Sequence, residues 1–258
     1  IACLVGSEMC IRDSHKLLHS KKDRPKWLTV SGGSINYVNK IINFLRANPR
    51  VKLLKNNGVK KIKRKNGFIE ITDNEGNTSE VDHIIFSQNP SKVVNILSDI
   101  QKNELDILGK FKANKNTAYL HSDESIMPKT KKIWSSWNIF VPKDEKSHIS
   151  VTYWMNKLQN INNKTPLFLS LNPVNLPNEG SIFKVIDYEH PIFDSKSITA
   201  LKFLDEIQGL NNTWYCGAWS GNGFHEDGLN SSLKVANKLV IKAVSYKHLT
   251  LPTKALVY

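Results

Sequence analysis

The sequence has few cysteines and no long apolar run, and these absences exclude several classes of protein. Three of the 258 residues are cysteine, and two of them, Cys3 and Cys10, lie near the amino terminus. A disulfide scaffold and a CxxC metal site are therefore excluded, and we expect a reducing, cytoplasmic compartment. No run approaches the ~20 apolar residues that a membrane-spanning helix requires. With 40% hydrophobic residues, the composition is that of an ordinary globular protein.

Acidic residues are scarce in one part of the chain. Between residues 21 and 65 there are 14 basic residues and one acid, Asp23, whereas the remainder has 22 of each. The net charge of +13 therefore arises in that one stretch. A basic polyanion- or membrane-surface-binding module would use such a stretch. A solvated, lysine-rich face is the alternative.

Both ends of the chain resemble translated sequencing-adapter sequence. The run from Met9 to Ser14 back-translates to a transposon end, and residues 243–253 resemble the opposite strand of the same adapter family. Residues 1–14 and 244–258 are therefore predicted to be foreign to the fold. The natural chain between them is predicted to be a fragment of a longer protein.

Apolar spacing predicts alternating helices and strands. The spacing predicts a helix over 35–47, stopped by Asn48-Pro49, and then short strands separated by Asn-Gly-type turns. The continuous apolar run over 82–87 predicts a strand buried on both faces. Further helices are predicted over 91–100, 103–111 and 197–208, and aromatic-rich strands around 133–141, 149–155 and 181–188. A last strand over 213–216 leads into a glycine loop and a closing helix over 227–243.

The final strand, loop and helix form the most informative unit. Gly217, Gly221 and Gly223 would let the backbone approach a ligand closely. A helix amino terminus favours a nearby anion by roughly 0.3–1 kcal/mol. A plain tight turn explains the same glycines, so this unit alone indicates no particular ligand.

The wider order of segments carries more information than the loop. Besides 217–219 and 223–229, the informative segments are Trp27-Leu28-Thr29-Val30-Ser31-Gly32-Gly33-Ser34, Leu120-His121-Ser122-Asp123, Met127-Pro128, Trp134-Ser135-Ser136-Trp137-Asn138, Val151-Thr152-Tyr153-Trp154-Met155-Asn156, Leu171-Asn172-Pro173, His190-Pro191 and Ile207-Gln208-Gly209. Together they resemble the C-terminal half of flavin-containing amine oxidase-like proteins, in particular the branch of predicted NAD/FAD-binding oxidoreductases. The resemblance covers residues 25–239.

This resemblance implies an α/β fold with an incomplete, Rossmann-like FAD-binding domain and a mixed-sheet α+β substrate domain. Residues 15–90 and 210–243 would form the FAD-binding part, and residues 91–209 the substrate domain. The GxGxxG fingerprint is absent, because Gly221-Asn222-Gly223 is followed three residues later by Glu226. We therefore expect the chain to lack the N-terminal βαβ unit that carries this fingerprint in relatives.

The resemblance also implies a set of contacts with FAD. Val59 would meet the adenine through its backbone, and Ser87 and Gln88 would lie near the pyrophosphate. Gly217, Ala218 and Trp219 would lie at the ribityl or phosphate portion of the cofactor, where relatives carry a glycine followed by an acid. The loop and helix start would face the N1–O2 edge of the flavin, and comprise Gly223, Phe224, His225, Glu226 and Asp227. The helix dipole there would favour the reduced, anionic flavin.

Other candidate residues have structural explanations of equal or greater weight. Adjacent residues such as His225, Glu226 and Asp227 seldom face one metal ion, so Asp227 is expected to cap a helix instead, and no metal site is predicted. His121 and Asp123 share a strand face and either line a substrate cavity or form a structural pair. The aromatic residues of 134–154 wall a pocket or pack in the core. No catalytic residue is identified.

The predicted function is that of an FAD-dependent oxidoreductase that transfers a hydride from a substrate C–H bond to flavin N5. The substrate would be a small molecule, an amine or an acyl lipid, and the fragment alone is expected to be incomplete as an enzyme. No nucleic-acid partner is expected, whereas peripheral membrane contact stays open. The alternative is a non-catalytic, basic module that binds polyanions or membrane surfaces.

Overall fold

A computed structural model describes residues 30–142, 149–162 and 164–245, together with 255–257. The adapter-like start, the motif residues 27–29 and the first four basic residues of the positive stretch lie outside the described residues, as does most of the adapter-like end. Within the described ranges, no helix combines the length and apolarity needed to cross a bilayer.

The chain forms two compact units. The first comprises Ile1–Lys112 and Pro191–Tyr258, and the second comprises Ala113–His190. The helices over 90–108 and 195–207 belong to the first unit because Val93, Leu108 and Ile207 are buried in its core. These bounds differ from the predicted boundaries after residues 90 and 209, and the functions assigned to the domains stay predictions.

The first unit contains seven strands and six α-helices among its described residues. In chain order they are α1 (Ile35–Ala47), β1 (Val51–Leu53), β2 (Val59–Lys65), β3 (Phe68–Asp73), β4 (Thr78–Val81), β5 (Ile84–Phe86), α2 (Pro90–Ile96), α3 (Lys102–Leu108), α5 (Ser195–Leu201), α6 (Leu204–Ile207), β11 (Thr213–Tyr215), α7 (His225–Ser245) and β12 (Ala255–Val257). Strands β2, β3 and β4 form an antiparallel sheet, while β5 with β11 and β1 with β12 form parallel pairs.

The core of the first unit packs the antiparallel sheet against its helices. Ile62, Ile69 and Ile71 alternate along β2 and β3 and are almost fully buried, as the two-residue period of a half-buried sheet requires. Val93 and Leu108 contribute from α2 and α3. The core therefore joins the three-stranded sheet, the helices and the β5–β11 pair.

A buried ion pair ties these elements together. Arg64 Nη1 and Nη2 donate to the two carboxylate oxygens of Glu104 at 2.6 and 2.7 Å, and Arg64 Nε donates to Asp99 at 2.8 Å. Glu104 Oε1 also accepts from the Tyr215 hydroxyl at 2.8 Å. The network links β2 with α3 and β11, and the charges raise the pKa of Arg64 although burial alone would lower it.

The second unit is built around one five-stranded sheet. Its elements are β6 (Ala113–His121), β7 (Trp137–Phe140), β8 (Ser150–Trp154), α4 (Met155–Gln159), β9 (Phe168–Leu171) and β10 (Ile182–Pro191), and the strand order is β10-β6-β9-β8-β7. The pairs β6–β9, β8–β9 and β7–β8 are antiparallel. Trp134 packs edge-on against both Trp154 and Phe168 in its core.

Several predicted elements need correction. The run over 82–87 contributes only β5, and Ile85 is 46% exposed, so this strand is not covered on both faces. The predicted helix over 197–208 is two helices, α5 and α6, separated by Lys202 and Phe203. The nine-residue strand β6 begins at Ala113, and Asn114, Lys115 and Asn116 obscure its alternation in the sequence.

Candidate functional site

The candidate site lies where two parallel strands, β5 and β11, end at the same edge of their sheet. Strands β5 and β11 pair with Tyr215 opposite Phe86, and the Cys216 amide donates to the Phe86 carbonyl at 2.9 Å. Because parallel strands end at the same edge, Ser87 and Gly217 leave the sheet side by side. Ligands of open α/β sheets bind at the carboxyl ends of such strands.

Gly217 is required by the close approach of these two loops. Its φ of 133° lies in the region that favours glycine. A Cβ atom there would lie 3.0 Å from the Ser87 carbonyl oxygen and 2.7 Å from the Trp219 ring. The glycine therefore serves the packing of the protein itself, in addition to any approach by a ligand.

The outer edge of β11 is held by a side chain instead of a further strand. Gln208 Nε2 donates to the Tyr215 carbonyl at 2.6 Å, and the Tyr215 amide donates to Gln208 Oε1 at 3.0 Å. The Tyr215 ring stacks on Phe86 with ring centroids 5.7 Å apart. Burial, together with the Glu104 carboxylate, raises the pKa of the Tyr215 hydroxyl, which therefore stays protonated as a donor.

The glycine loop is fastened to the first turns of α7. The Gly217 amide donates to Ser231 Oγ at 2.9 Å. Asp227 Oδ2 accepts from the amides of Asn222 and Phe224, both at 3.0 Å. A Cβ on Gly221 would lie 2.5 Å from Asp227 Cγ, so the loop closes tightly around this carboxylate. Asp227 thus serves as the helix-capping residue that the sequence predicted.

The first turn of α7 carries two acids, Glu226 and Asp227. Carboxylates at this end interact favourably with the helix dipole, but they also oppose the approach of a second anion. The terminus consequently suits a neutral, polar group with hydrogen-bond acceptors better than a phosphate.

The predicted FAD contacts fall into three groups. Ser87 and Gln88 are exposed at the strand edge, close to buried Gly217 and half-buried Ala218, and residues 223–227 follow on the same loop and helix. The Trp219 side chain instead lies in the core, where its indole NH donates to the Cys216 carbonyl and its ring packs edge-on against Phe111. Val59 lies at the start of β2, in the separate three-stranded sheet. All of these contacts stay predictions.

His121 and Asp123 form a structural network in the second unit. The Asp123 amide donates to His121 Nδ1 at 3.1 Å, which places the ring proton on Nε2, 2.8 Å from Ser170 Oγ. Ser170 Oγ lies 2.7 Å from Thr152 Oγ1. Burial lowers the pKa of His121, so the ring is neutral here. Asp123 accepts from the amides of Ser125 and Asn178, which supports the structural explanation of the pair.

A cavity in the second unit was not predicted from the sequence. It has a volume of about 330 Å³ and opens beside β6 and the end of β9. Its lining residues are Lys115, Thr117, Tyr119, Asn172, Pro173 and Leu176. The alternation of Lys115, Thr117 and Tyr119 is the signal that would have placed them on one face. In the part of the chain that the structure describes, no group of His, Cys, Asp or Glu is arranged to hold a metal ion.

Comparison with known proteins identifies solved structures with a similar fold. Neither a family model nor a curated protein matches the sequence. Among solved structures, the chain is similar to a protein assigned as a protoporphyrinogen oxidase from Exiguobacterium sp. 255-15, with TM-score 0.61 and 12% identity over 85% of this chain and 54% of that one. It is also similar to a putrescine oxidase mutant from a redesign of cofactor binding (TM-score 0.53, 9% identity, 82% and 53% coverage). A third is a fatty acid isomerase from P. acnes that produces CLA (TM-score 0.51, 13% identity, 71% and 47% coverage).

These similarities confirm the mixed α and β fold class that the sequence predicts. At such low identity they show the fold alone. The chain spans about half the length of each of these structures.

Proposed function

We propose that this chain is part of an FAD-dependent, amine oxidase-like oxidoreductase. The observation that carries the proposal is the edge where Ser87 and Gly217 lie side by side, followed directly by the amino terminus of α7. The three solved structures named above support it, because two are oxidases and one of these was studied for its cofactor binding.

The residues at this edge fit part of an FAD molecule. Ser87 and Gln88 offer exposed polar side chains beside the strand ends, where the sugar and pyrophosphate portion would lie. The acids of the first turn of α7 make that terminus a poor phosphate site, so the uncharged pyrimidine edge of the flavin is the portion that it would face. FAD, when bound, supplies the hydride acceptor at N5.

The protein's own contribution is positioning. Asp227 holds the loop amides of Asn222 and Phe224, and Ser231 holds Gly217, so the edge is rigid before a ligand arrives. A preorganised site of this kind loses little free energy to ordering on binding.

The cavity of the second unit favours an acyl lipid over an amine as substrate. Lys115 is the charged member of its lining, and Pro173 and Leu176 supply apolar surface. Lys115 would attract a carboxylate, and the Asp187 carboxylate, which accepts from Thr117 Oγ1 at 2.8 Å, offsets part of its charge. The fatty acid isomerase among the similar structures is consistent with this choice.

The decisive experiment is titration of the purified chain with FAD, followed by flavin fluorescence and the visible spectrum. Gln88→Trp should weaken binding at least tenfold by blocking the strand edge. Gln159→Trp, the same substitution at the exposed end of α4 in the second unit, is the matched control and should bind like the wild type. Absence of binding up to millimolar FAD, or equal binding by both variants, would contradict the proposal.

A further inference from the structure

Helix α1 exposes an apolar stripe. Tyr37, Ile41 and Phe44 are 39%, 53% and 75% exposed. Their spacing of four and three residues places them on one side of the helix. The adjacent side carries Val38 and Ile42, which are half-buried where α1 packs against β1. No residue of α1 is fully buried, so its apolar arc extends beyond the part that the fold covers.

The surroundings of this stripe are basic. Lys40 follows Tyr37 by three residues and precedes Phe44 by four, so it borders the stripe directly. Arg46 lies in the last turn and Arg50 just after the helix, and both are exposed. The sequence has no acidic residue from 24 to 69. Positive charge at α1 is therefore uncompensated along the chain.

The lysines of the sheet formed by β2, β3 and β4, unlike the basic residues of α1, lie close to an acid. Lys65 pairs with Glu70 at 2.6 Å, and Lys63 lies opposite Glu70 in the β2–β3 register. The hydrogen bond from Lys65 and the charges of Lys63 and Lys61 lower the pKa of Glu70. Of the two basic surfaces, α1 is thus the one that combines unpaired charge with exposed apolar side chains.

We propose that α1 docks this protein on an anionic lipid surface. An interfacial helix buries its apolar side at the boundary between head groups and acyl chains, while flanking basic residues meet anionic head groups. Lys40 can extend its aliphatic stem along the stripe and keep its ammonium among the head groups. A nucleic acid would contact the basic residues but would leave Ile41 and Phe44 exposed to water. The apolar stripe therefore favours a lipid surface over a nucleic acid. The inference is independent of FAD binding.

Vesicle flotation of the full chain tests the proposal. Binding is expected to vesicles of mixed phosphatidylcholine and phosphatidylglycerol, to decrease with salt, and to be weak with phosphatidylcholine alone. The double variant Ile41→Asn/Phe44→Asn should lose at least tenfold in partitioning, and Lys40→Glu should lose severalfold. Circular dichroism should show an unchanged fold, because neither side chain belongs to the core.

The matched control lies on α7. Leu229 and Leu233 are also four residues apart and are 54% and 52% exposed. Glu226 lies three residues before Leu229, and no lysine or arginine lies three or four residues from either leucine. Leu229→Asn/Leu233→Asn should bind vesicles like the wild type. The proposal is overturned if both double variants bind equally. It is also overturned if the α1 variant only converts a dimer to a monomer, or if polyanionic RNA binds the chain and vesicles do not.

Discussion

The buried ion pair between Arg64 and Glu104 provides the sharpest test of how the first unit is held together. The Arg64 side chain is 4% exposed and that of Glu104 is fully buried, so neither charge can be solvated by water if its partner is removed. Breaking such a pair costs about 3–5 kcal/mol, because one charge is left buried without compensation. We therefore expect Arg64→Met to lower the free energy of unfolding by about that amount.

The free energy of unfolding lost in Arg64→Met should depend on pH, because Glu104 is ionisable and its surroundings set its pKa. Burial alone would raise the pKa of Glu104, but hydrogen bonds from Arg64, the Gln101 amide and Tyr215 together lower it below its usual 4.5. In the wild type, ionised Glu104 stabilises the fold above pH 4.5, and this contribution is lost as the pH falls below that value. In Arg64→Met the effect of burial prevails, and the pKa of Glu104 rises. The loss of unfolding free energy relative to the wild type should therefore be largest at neutral pH and should shrink as Glu104 becomes protonated.

Urea unfolding at about pH 7 and about pH 5 measures both effects. Arg64→Met/Glu104→Gln removes the unpaired charge and should recover part of the stability lost by the single variant. Lys63→Met, an exposed neighbour on β2, controls for the loss of a basic residue and should change stability by less than about 0.5 kcal/mol. A loss below about 1 kcal/mol in Arg64→Met, or a double variant no more stable than the single one, would refute the reasoning.

Three further predictions concern single positions. Gly217→Ala should destabilise by about 2–4 kcal/mol through its φ of 133° and the contacts of the added Cβ, while Gly180→Ala, where no atom lies within 4 Å of such a Cβ, should leave the melting temperature unchanged. Gln208→Ala should cost about 1–3 kcal/mol, because both backbone groups of Tyr215 lose their partners, and a chemical-denaturation midpoint equal to that of the wild type would contradict this. The buried, neutral ring of His121 has a lowered pKa, so stability should be complete above pH 6.5 and fall as the pH drops below it. Removing the ring with His121→Asn should flatten that part of a stability-against-pH curve, and an unaltered slope would argue against it.

Local signals in the sequence predicted much of the first unit. The helix predicted over 35–47 is α1 with the same bounds, because Asn48-Pro49 stops it and its apolar spacing is regular. The strands β2, β3 and β4 follow from the turns at Gly67 and Gly76, both of which adopt positive φ. These features depend on neighbouring residues and are visible without the tertiary structure.

Features that depend on distant residues were not predictable in this way. Arg64 and Glu104 are 40 residues apart in the sequence, and no local pattern indicates that they meet. The exposure of Ile85 was also missed, since an apolar run shows that a strand can be buried but not which of its faces is covered. The packing of the Trp219 indole against Phe111 was also not predictable, because these residues are distant in the sequence.

The geometry of the candidate site and the stability of the first unit depend on the same strand. Tyr215 is fixed by Glu104 through its hydroxyl, by Gln208 through its backbone and by Phe86 through its ring. The next residue, Cys216, bonds the Phe86 carbonyl and so sets where the chain turns toward Gly217. Because these constraints act on consecutive residues, the strand edge is rigid without any ligand. Because folding already orders this loop, binding a molecule there requires little further loss of conformational freedom. The loop is therefore suited to orienting a bound molecule.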